Sequence, residues 1–441
     1  MDSVGNTLRL YLLLALATGG VAISALASAA GAGELSLAAA REIAFRSNWD
    51  LLAAKTGIDN AEAQLIVAKE IPNPTLSLST ARLGARNNGT YEGNGLWQRN
   101  YDTIAAVSQL IEIGGKRSDR KAAGQAGLLG ARARFLDAKR TLDQGVTKAY
   151  IAAVLADENE RVLTDSARLM RKEADIAHAQ WQAGDLSEAD CKTLELNTGQ
   201  LELQAQAAAA TAVQARIAVE VLLGSSQPNG HWRATDSLRI LAEQAPPAAP
   251  ATGDALRPDV LAAAADLRGG VAELKLQQAM RIPDPTFTVG FEHNPPDSGP
   301  PEDTLNVAIS LPLPLWNRNG GNIKSAQAAV DQYQAALGKA RTQALADVAV
   351  AESAYAEASA RWKRYREELA PQSAKVRDAV AFQYEKGAAR LVDLLNAEQT
   401  DNTVRLALAQ AMNDTASAAA DLQAARTVVT EAELHPRPAG Q

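Results

Sequence analysis

The side chains best suited to chemistry are few and scattered. The 441 residues include four histidines, His178, His231, His293 and His435, and one cysteine, Cys191. No two histidines stand at the helical i, i+4 spacing of a zinc motif. A single thiol excludes an intrachain disulfide framework and a cysteine-cluster metal site. There is no Gly-x-Ser-x-Gly elbow, no His-Glu-x-x-His and no Walker phosphate loop. Gly114-Gly115-Lys116 is a lone glycine pair and reads as a turn, not a phosphate cradle. The expectation is a protein that is not an enzyme, with no catalytic, cofactor or metal residue.

Function must then lie in the elements. A net charge of −7, with Lys and Arg dispersed among Glu and Asp, argues against nucleic acid as a partner. Residues 1–29 read as an export signal. Arg9 precedes the apolar run 10–16, and Ala27-Ser28-Ala29 is an A-x-A cleavage pattern. The mature chain is expected to start near Ala30, and past it no apolar run of about 18 residues follows.

A long helix is expected from Asn322 to about Tyr384. Its seam runs through Ile323, Ala326, Val330, Tyr333, Leu337, Ala340, Ala344, Val348, Ala351, Tyr355, Ala358, Trp362, Tyr365 and Leu369. Steps of three and four make this a heptad seam, with one stutter at Ala340, Ala344 and Val348. Continuous helix over that span would be roughly 90 Å long. Subtracting 202 (310 − 108, for Ser310 and Ser108) returns the seam from Leu128 to Ala167, spoiled only by Glu160 opposite Trp362, with the stutter at Ala138, Leu142 and Val146. A chance seam would not carry its irregularity along, so the chain is duplicated. Shorter helices over 35–68 and 256–280 end at Ile71-Pro72-Asn73-Pro74 and Ile282-Pro283-Asp284-Pro285, offset by 211 (282 − 71). Each long helix stops at a glycine, Gly184 or Gly387, and returns over 188–223 or 391–428. We expect one elongated unit over 30–441: repeat 1 about 35–224, a linker about 225–254, repeat 2 about 255–430, and a disordered tail at 434–441.

Between the helices lie strands. Leu305, Val307, Ile309, Leu311, Leu313 and Leu315 share one face of a predicted strand over 305–315, and 101–113 matches 303–315 in the other half. Shorter alternations start at Leu76 and Phe287, and loops at 84–100 and 295–301 join each pair. Strands of about ten residues suit a tilted crossing of a bilayer. Four cannot close a barrel, and lipid forbids an open edge, so such a chain must oligomerise.

The Asn/Asp-Pro strand starts, the corner at 109–117 (QLIEIGGKR) and the corner at 311–319 (LPLPLWNRN) carry a resemblance. So does Tyr384-x-x-Gly387 followed by Leu391-Val392-Asp393-Leu394-Leu395. Nearly the whole mature chain resembles a TolC-type outer-membrane efflux factor, and the corners are most similar to its heavy-metal branch, from cobalt–zinc–cadmium-type RND pumps. The resemblance implies a mainly α fold with a small β portion. Duplicated coiled-coil hairpins would form a periplasmic α-barrel, and four strands per chain would contribute to a trimeric 12-stranded transmembrane β-barrel. It implies a passive duct in the outer membrane of a Gram-negative bacterium, exporting divalent heavy-metal cations. The implied partners are two further copies in a homotrimer, a periplasmic membrane-fusion adaptor, an RND inner-membrane pump and outer-membrane lipid. Gly184, Asp185, Gly387 and Ala388 would mark the adaptor-contacting tips. Just before the second tip, Pro371, Arg377, Asp378 and Glu385 are candidates for a periplasmic gate, with Pro371 expected to kink the rod. The alternatives are a multidrug or type I secretion duct, or a periplasmic coiled-coil scaffold without a pore.

Overall fold

The computed structural model describes residues 33–81, 102–244, 246, 256–294 and 302–434. The expected export signal, both strand-joining loops, most of the Pro- and Ala-rich stretch at 245–252 and residues 435–441 of the expected tail lie outside the described residues. In chain order the elements are β1 (Glu34–Leu35), α1 (Leu37–Ser47), α2 (Trp49–Lys69), β2 (Thr75–Ala81), β3 (Asp102–Leu110), α3 (Lys116–Ala183), α4 (Glu188–Leu222), β4 (Arg233–Ala234), α5 (Leu238–Glu243), α6 (Pro258–Ala279), β5 (Thr286–Asn294), β6 (Glu302–Ser310), α7 (Gly320–Arg364), a π turn (Tyr365–Leu369), α8 (Ala370–Glu385), α9 (Leu391–Arg426) and a closing 3-10 turn (Glu431–Leu434). Two compact units result. The first comprises Met1–Lys55, Phe135–Arg257 and Gln343–Thr430; the second comprises Thr56–Arg134, Pro258–Thr342 and Glu431–Gln441.

The second unit holds a four-stranded antiparallel sheet in the order β2-β3-β5-β6. Its register aligns Leu76, Val107, Val289 and Val307 in one row across all four strands, and Leu78, Ala105, Phe291 and Leu305 in the next. Because side chains alternate, both rows fall on one face. The large side chains in them are exposed, Leu305 and Val307 each at 71%. The other face carries the row Thr75, Ser108, Thr288 and Ala308, with Ser108 Oγ 2.9 Å from Thr288 Oγ1. Strand β6 ends at Ser310, short of the expected Leu315, because Pro312 and Pro314 have no N–H to give a ladder. Past β3, Gly114 and Gly115 take φ of +74° and +81°. Lys116 is buried there, with Nζ 2.5 Å from Ile282 O and 2.7 Å from Asp284. That lysine is committed to the corner, as the turn reading expects. Leu434, expected in the tail, is buried, and its carbonyl accepts from Arg132.

The first unit is helical. The expected helix over 35–68 is interrupted at Asn48, whose ψ of 127° breaks it. Asn48 donates to Leu222 O at 3.0 Å and caps Leu51 N at 3.0 Å. The stretch at 225–254, expected as a linker, contributes β4, paired in parallel with β1, and α5. Trp232, Leu238 and Leu241 join Val146, Tyr150, Ile151 and Val219 in the main core, where Tyr150 stacks on Trp232 at 5.8 Å.

The duplicated rods differ. Helix α3 runs unbroken, whereas its counterpart is interrupted by the π turn, in which Ala370 N–H donates to Tyr365 O five residues back. Pro371 follows at once, in the first turn of α8. Its ring removes one amide and crowds the preceding turn, and a widened turn accommodates both. The irregularity expected at Pro371 is therefore a π bulge.

Candidate functional site: the two helical tips

Both tips lie in the first unit and are built alike. Helix α3 ends with Gly184 N–H donating to Trp181 O at 3.0 Å and Asp185 N–H to Gln180 O at 2.9 Å. Helix α8 is followed by Gly387 N–H donating to Tyr384 O at 2.9 Å and Ala388 N–H to Gln383 O at 2.8 Å. Each pair is a Schellman stop, which needs a left-handed residue, and Gly184 and Gly387 supply φ of +86° and +72°. The return helices begin four residues after each glycine. Ser187 Oγ accepts from Asp190 N at 3.1 Å, and Asp393 reaches back to the Arg390 N–H at 3.2 Å. Gly184, Asp185, Gly387 and Ala388 are all exposed. Beneath them Met170, Ala174, Ala177, Leu194 and Leu391 form a tip core with Tyr384 and Leu395 against it.

Of the four gate candidates, Pro371 adjoins the π turn. Arg377 is held within the chain, its Nη1 2.7 Å from Asp401 Oδ2 on α9 and its Nη2 2.7 Å from the adjacent Asp378. The Asp378 side chain is 69% exposed. Glu385 is exposed at the end of α8. The hydrogen bond that Arg377 donates to Asp378 is the main cause that raises its guanidinium above its ordinary value.

Asp401 was not among the candidates, yet it anchors this end. It is buried and also accepts from Ser373 Oγ at 2.8 Å. Its sequence signal is a carboxylate continuing the apolar face Leu394, Ala397, Asp401 of α9. Nearby, burial pushes the Glu398 carboxyl up against the pull of Arg377. Burial also pushes up Glu173 on α3, with the charge of Glu385 adding to it.

At the first tip the structure brings together three residues that the sequence reading left apart. His178 on α3 meets Cys191 and Glu195 on α4, their ligand atoms all within 4.8 Å of one another. Burial pushes the Cys191 thiol up, and Glu195 acts in the same direction. The signal was the hairpin itself: His178 and Cys191 lie equally far on either side of the turn at 184–185, and antiparallel helices set such pairs face to face. Cys191 and Glu195 stand at i, i+4 on α4, but a search along one helix cannot bring in His178 from across the turn.

Duplicated helical hairpins and a small sheet with an exposed apolar face define a mainly α protein of the channel-forming type. The chain belongs to the outer membrane efflux protein family, whose model matches residues 40–225 and 254–426. It is 25% identical over 371 residues to the cobalt-zinc-cadmium resistance protein CzcC of Cupriavidus metallidurans, with 84% of each chain covered. Among solved structures it is similar to a membrane protein from Pseudomonas aeruginosa, with TM-score 0.72 and 19% identity over 89% of this chain and 93% of that one. It is also similar to the outer membrane protein VceC of Vibrio cholerae, with TM-score 0.68 and 18% identity over 88% and 95%.

Proposed function

We propose that the protein is the outer-membrane duct of a tripartite RND-type pump, passing divalent heavy-metal cations from the periplasm to the outside. The observation that carries this is the sheet. Two adjacent cross-strand rows of large apolar side chains stand exposed on one face, and strands β2 and β6 leave an edge on either side. An apolar face of that extent marks a contact surface, and in lipid both edges must find partners. Three copies supply twelve strands and close the ring.

The remaining assignments follow from that arrangement. Export of the chain, through cleavage of residues 1–29, delivers it to the outer membrane. The helical parts extend into the periplasm, where Gly184, Asp185, Gly387 and Ala388 meet a membrane-fusion adaptor. The gradient belongs to the inner-membrane pump, and the duct does no chemistry of its own. Similarity to a cobalt-zinc-cadmium resistance protein supports the cation class. Asp378, exposed beside the Arg377–Asp401 anchor, gives a threefold ring of carboxylates that favours cations at the periplasmic end.

The test is single-channel conductance of detergent-extracted protein in a planar bilayer, beside cell fractionation. The reading expects a heat-modifiable oligomer in the outer-membrane fraction and cation-preferring openings, with preference reduced in Asp378→Asn. Recovery as a soluble periplasmic monomer without conductance would overturn it.

A further inference from the structure

Near the first tip three different donor types converge from the two arms of one hairpin. His178 Nδ1 on α3 lies 4.0 Å from Cys191 Sγ and 3.6 Å from Glu195 Oε1 on α4. Sγ is 3.8 Å from the same carboxylate oxygen. We propose that His178, Cys191 and Glu195 bind one divalent cation of the zinc and cadmium class and thereby staple α3 to α4 beneath the tip.

The distances fit an ion. Zinc bond lengths of about 2.3 Å to sulfur and about 2.0 Å to nitrogen and oxygen, at tetrahedral angles, require about 3.5 Å for S···N and S···O and about 3.3 Å for N···O. The three separations exceed these by about 0.3 to 0.5 Å, a closure that side-chain torsions supply without backbone movement. The histidine–glutamate separation is longer than an ordinary hydrogen bond, so that pair converges without satisfying itself.

The surroundings fit as well. The Gln182 side-chain amide stands 3.1 Å from His178 Nε2, the ring nitrogen that does not face the cluster; turned to present its oxygen, it accepts the N–H that this nitrogen carries when Nδ1 holds a cation. Lys192 Nζ holds the other carboxylate oxygen, Glu195 Oε2, at 2.7 Å and leaves Oε1 turned toward the thiol. The lysine charge nearby moderates the affinity. Cys191 is buried, whereas the side chains of His178 and Glu195 are 46% and 36% exposed, so a cation can enter and water can complete its shell. One sulfur, one imidazole nitrogen and one carboxylate oxygen suit zinc, cadmium and cobalt, and disfavour magnesium and calcium, which take oxygen ligands.

The proposal does not depend on the duct reading, because binding is measurable whether or not the chain conducts. Detergent-purified full chain is titrated with cadmium while thiolate-to-cadmium charge-transfer absorption is followed in the ultraviolet. Absorption should saturate at one equivalent per chain, zinc should displace cadmium, and magnesium should not. Cys191→Ser should abolish the band. His178→Ala and Glu195→Gln should each weaken binding about tenfold or more while keeping the parent far-ultraviolet dichroism. His178→Ala is the safer control, since its side chain is half exposed and its loss leaves the tip core in place. Unchanged affinity in His178→Ala would show a lone thiol and overturn the site; so would a parent chain that shows no saturable band.

Discussion

Replacing Arg377 with methionine should loosen the second hairpin far more than neutralising its partner. Asp401 has a side chain only 2% exposed and accepts from Arg377 at 2.7 Å and Ser373 at 2.8 Å. Without the guanidinium, the buried carboxylate keeps one neutral donor. Removing one partner of a buried ion pair costs about 3–5 kcal/mol. The Arg377 side chain is 24% exposed, so water offsets part of this and about 3 kcal/mol is the working value. Asp401→Asn keeps the shape and the serine bond, and leaves Arg377 its pair with Asp378, so it should cost about 1 kcal/mol. The double variant should sit near the asparagine variant, a coupling of about 3 kcal/mol. The assay is hydrogen exchange of the assembled protein, read over 371–385 and 391–402. A loss of 3 kcal/mol means roughly a hundredfold loss of protection. Protection within about twofold of the parent in Arg377→Met would refute the reasoning, and so would an equal loss in Asp401→Asn.

Burial raises the Glu398 and Glu173 carboxyls above 4.5, so in this window the folded tip holds more protons than the unfolded chain. Its stability should therefore fall as pH rises through the interval above 4.5, and Glu398→Gln should flatten that slope in thermal melts followed by dichroism. Gly387→Ala meets no neighbour and should cost only the left-handed penalty of about 1–2 kcal/mol. Gly224→Ala, at φ +79° with its new carbon 2.2 Å from Ser47 O, should cost more than about 3 kcal/mol in the same melts. Val289→Arg places a charge in the central apolar row and should cost about 2–4 kcal/mol in a bilayer; the chain should be lost from the outer-membrane fraction while its helicity persists.

Periodicity carried most of the fold. The stuttered seam, the Pro pairs and the two glycine stops follow from spacing alone, and they locate the helices and strands to within a few residues. The misses have local causes. Alternation of Leu311, Leu313 and Leu315 continues past Ser310, but the intervening prolines cannot bond in a ladder. The Pro- and Ala-rich composition of 245–252 obscured the anchors Trp232, Leu238 and Leu241 just before it. At the tips, Gly184 and Gly387 were legible because a left-handed stop is a property of one residue. The Arg377–Asp401 pair and the His178, Cys191 and Glu195 cluster were not, because each depends on which residues a hairpin sets opposite one another.

The duplication sharpens what those two clusters mean. An offset of 203 (387 − 184) carries one tip onto the other, matching the paired stop bonds and both helix starts. By that offset Asp401 corresponds to Thr198, Arg377 to Ala174 and Ser373 to Met170. In the first hairpin, buried Thr198 bonds only to backbone carbonyls, at Leu194 and Met170. Conversely, Cys191 corresponds to Leu394 and His178 to Ala381, while Glu195 has its equal in Glu398. Each repeat has thus replaced apolar or neutral positions on the same two helices with polar groups the other lacks. The second hairpin has gained a permanent anchor, a buried carboxylate tied to arginine. The first has gained a thiol and an imidazole beside a carboxylate both halves possess, and a conditional tie follows if a cation binds. One tip then carries a buried ion pair at all times, and the other adds a metal tie to its apolar core only when a cation is bound, a difference that a symmetric pair of hairpins would not have.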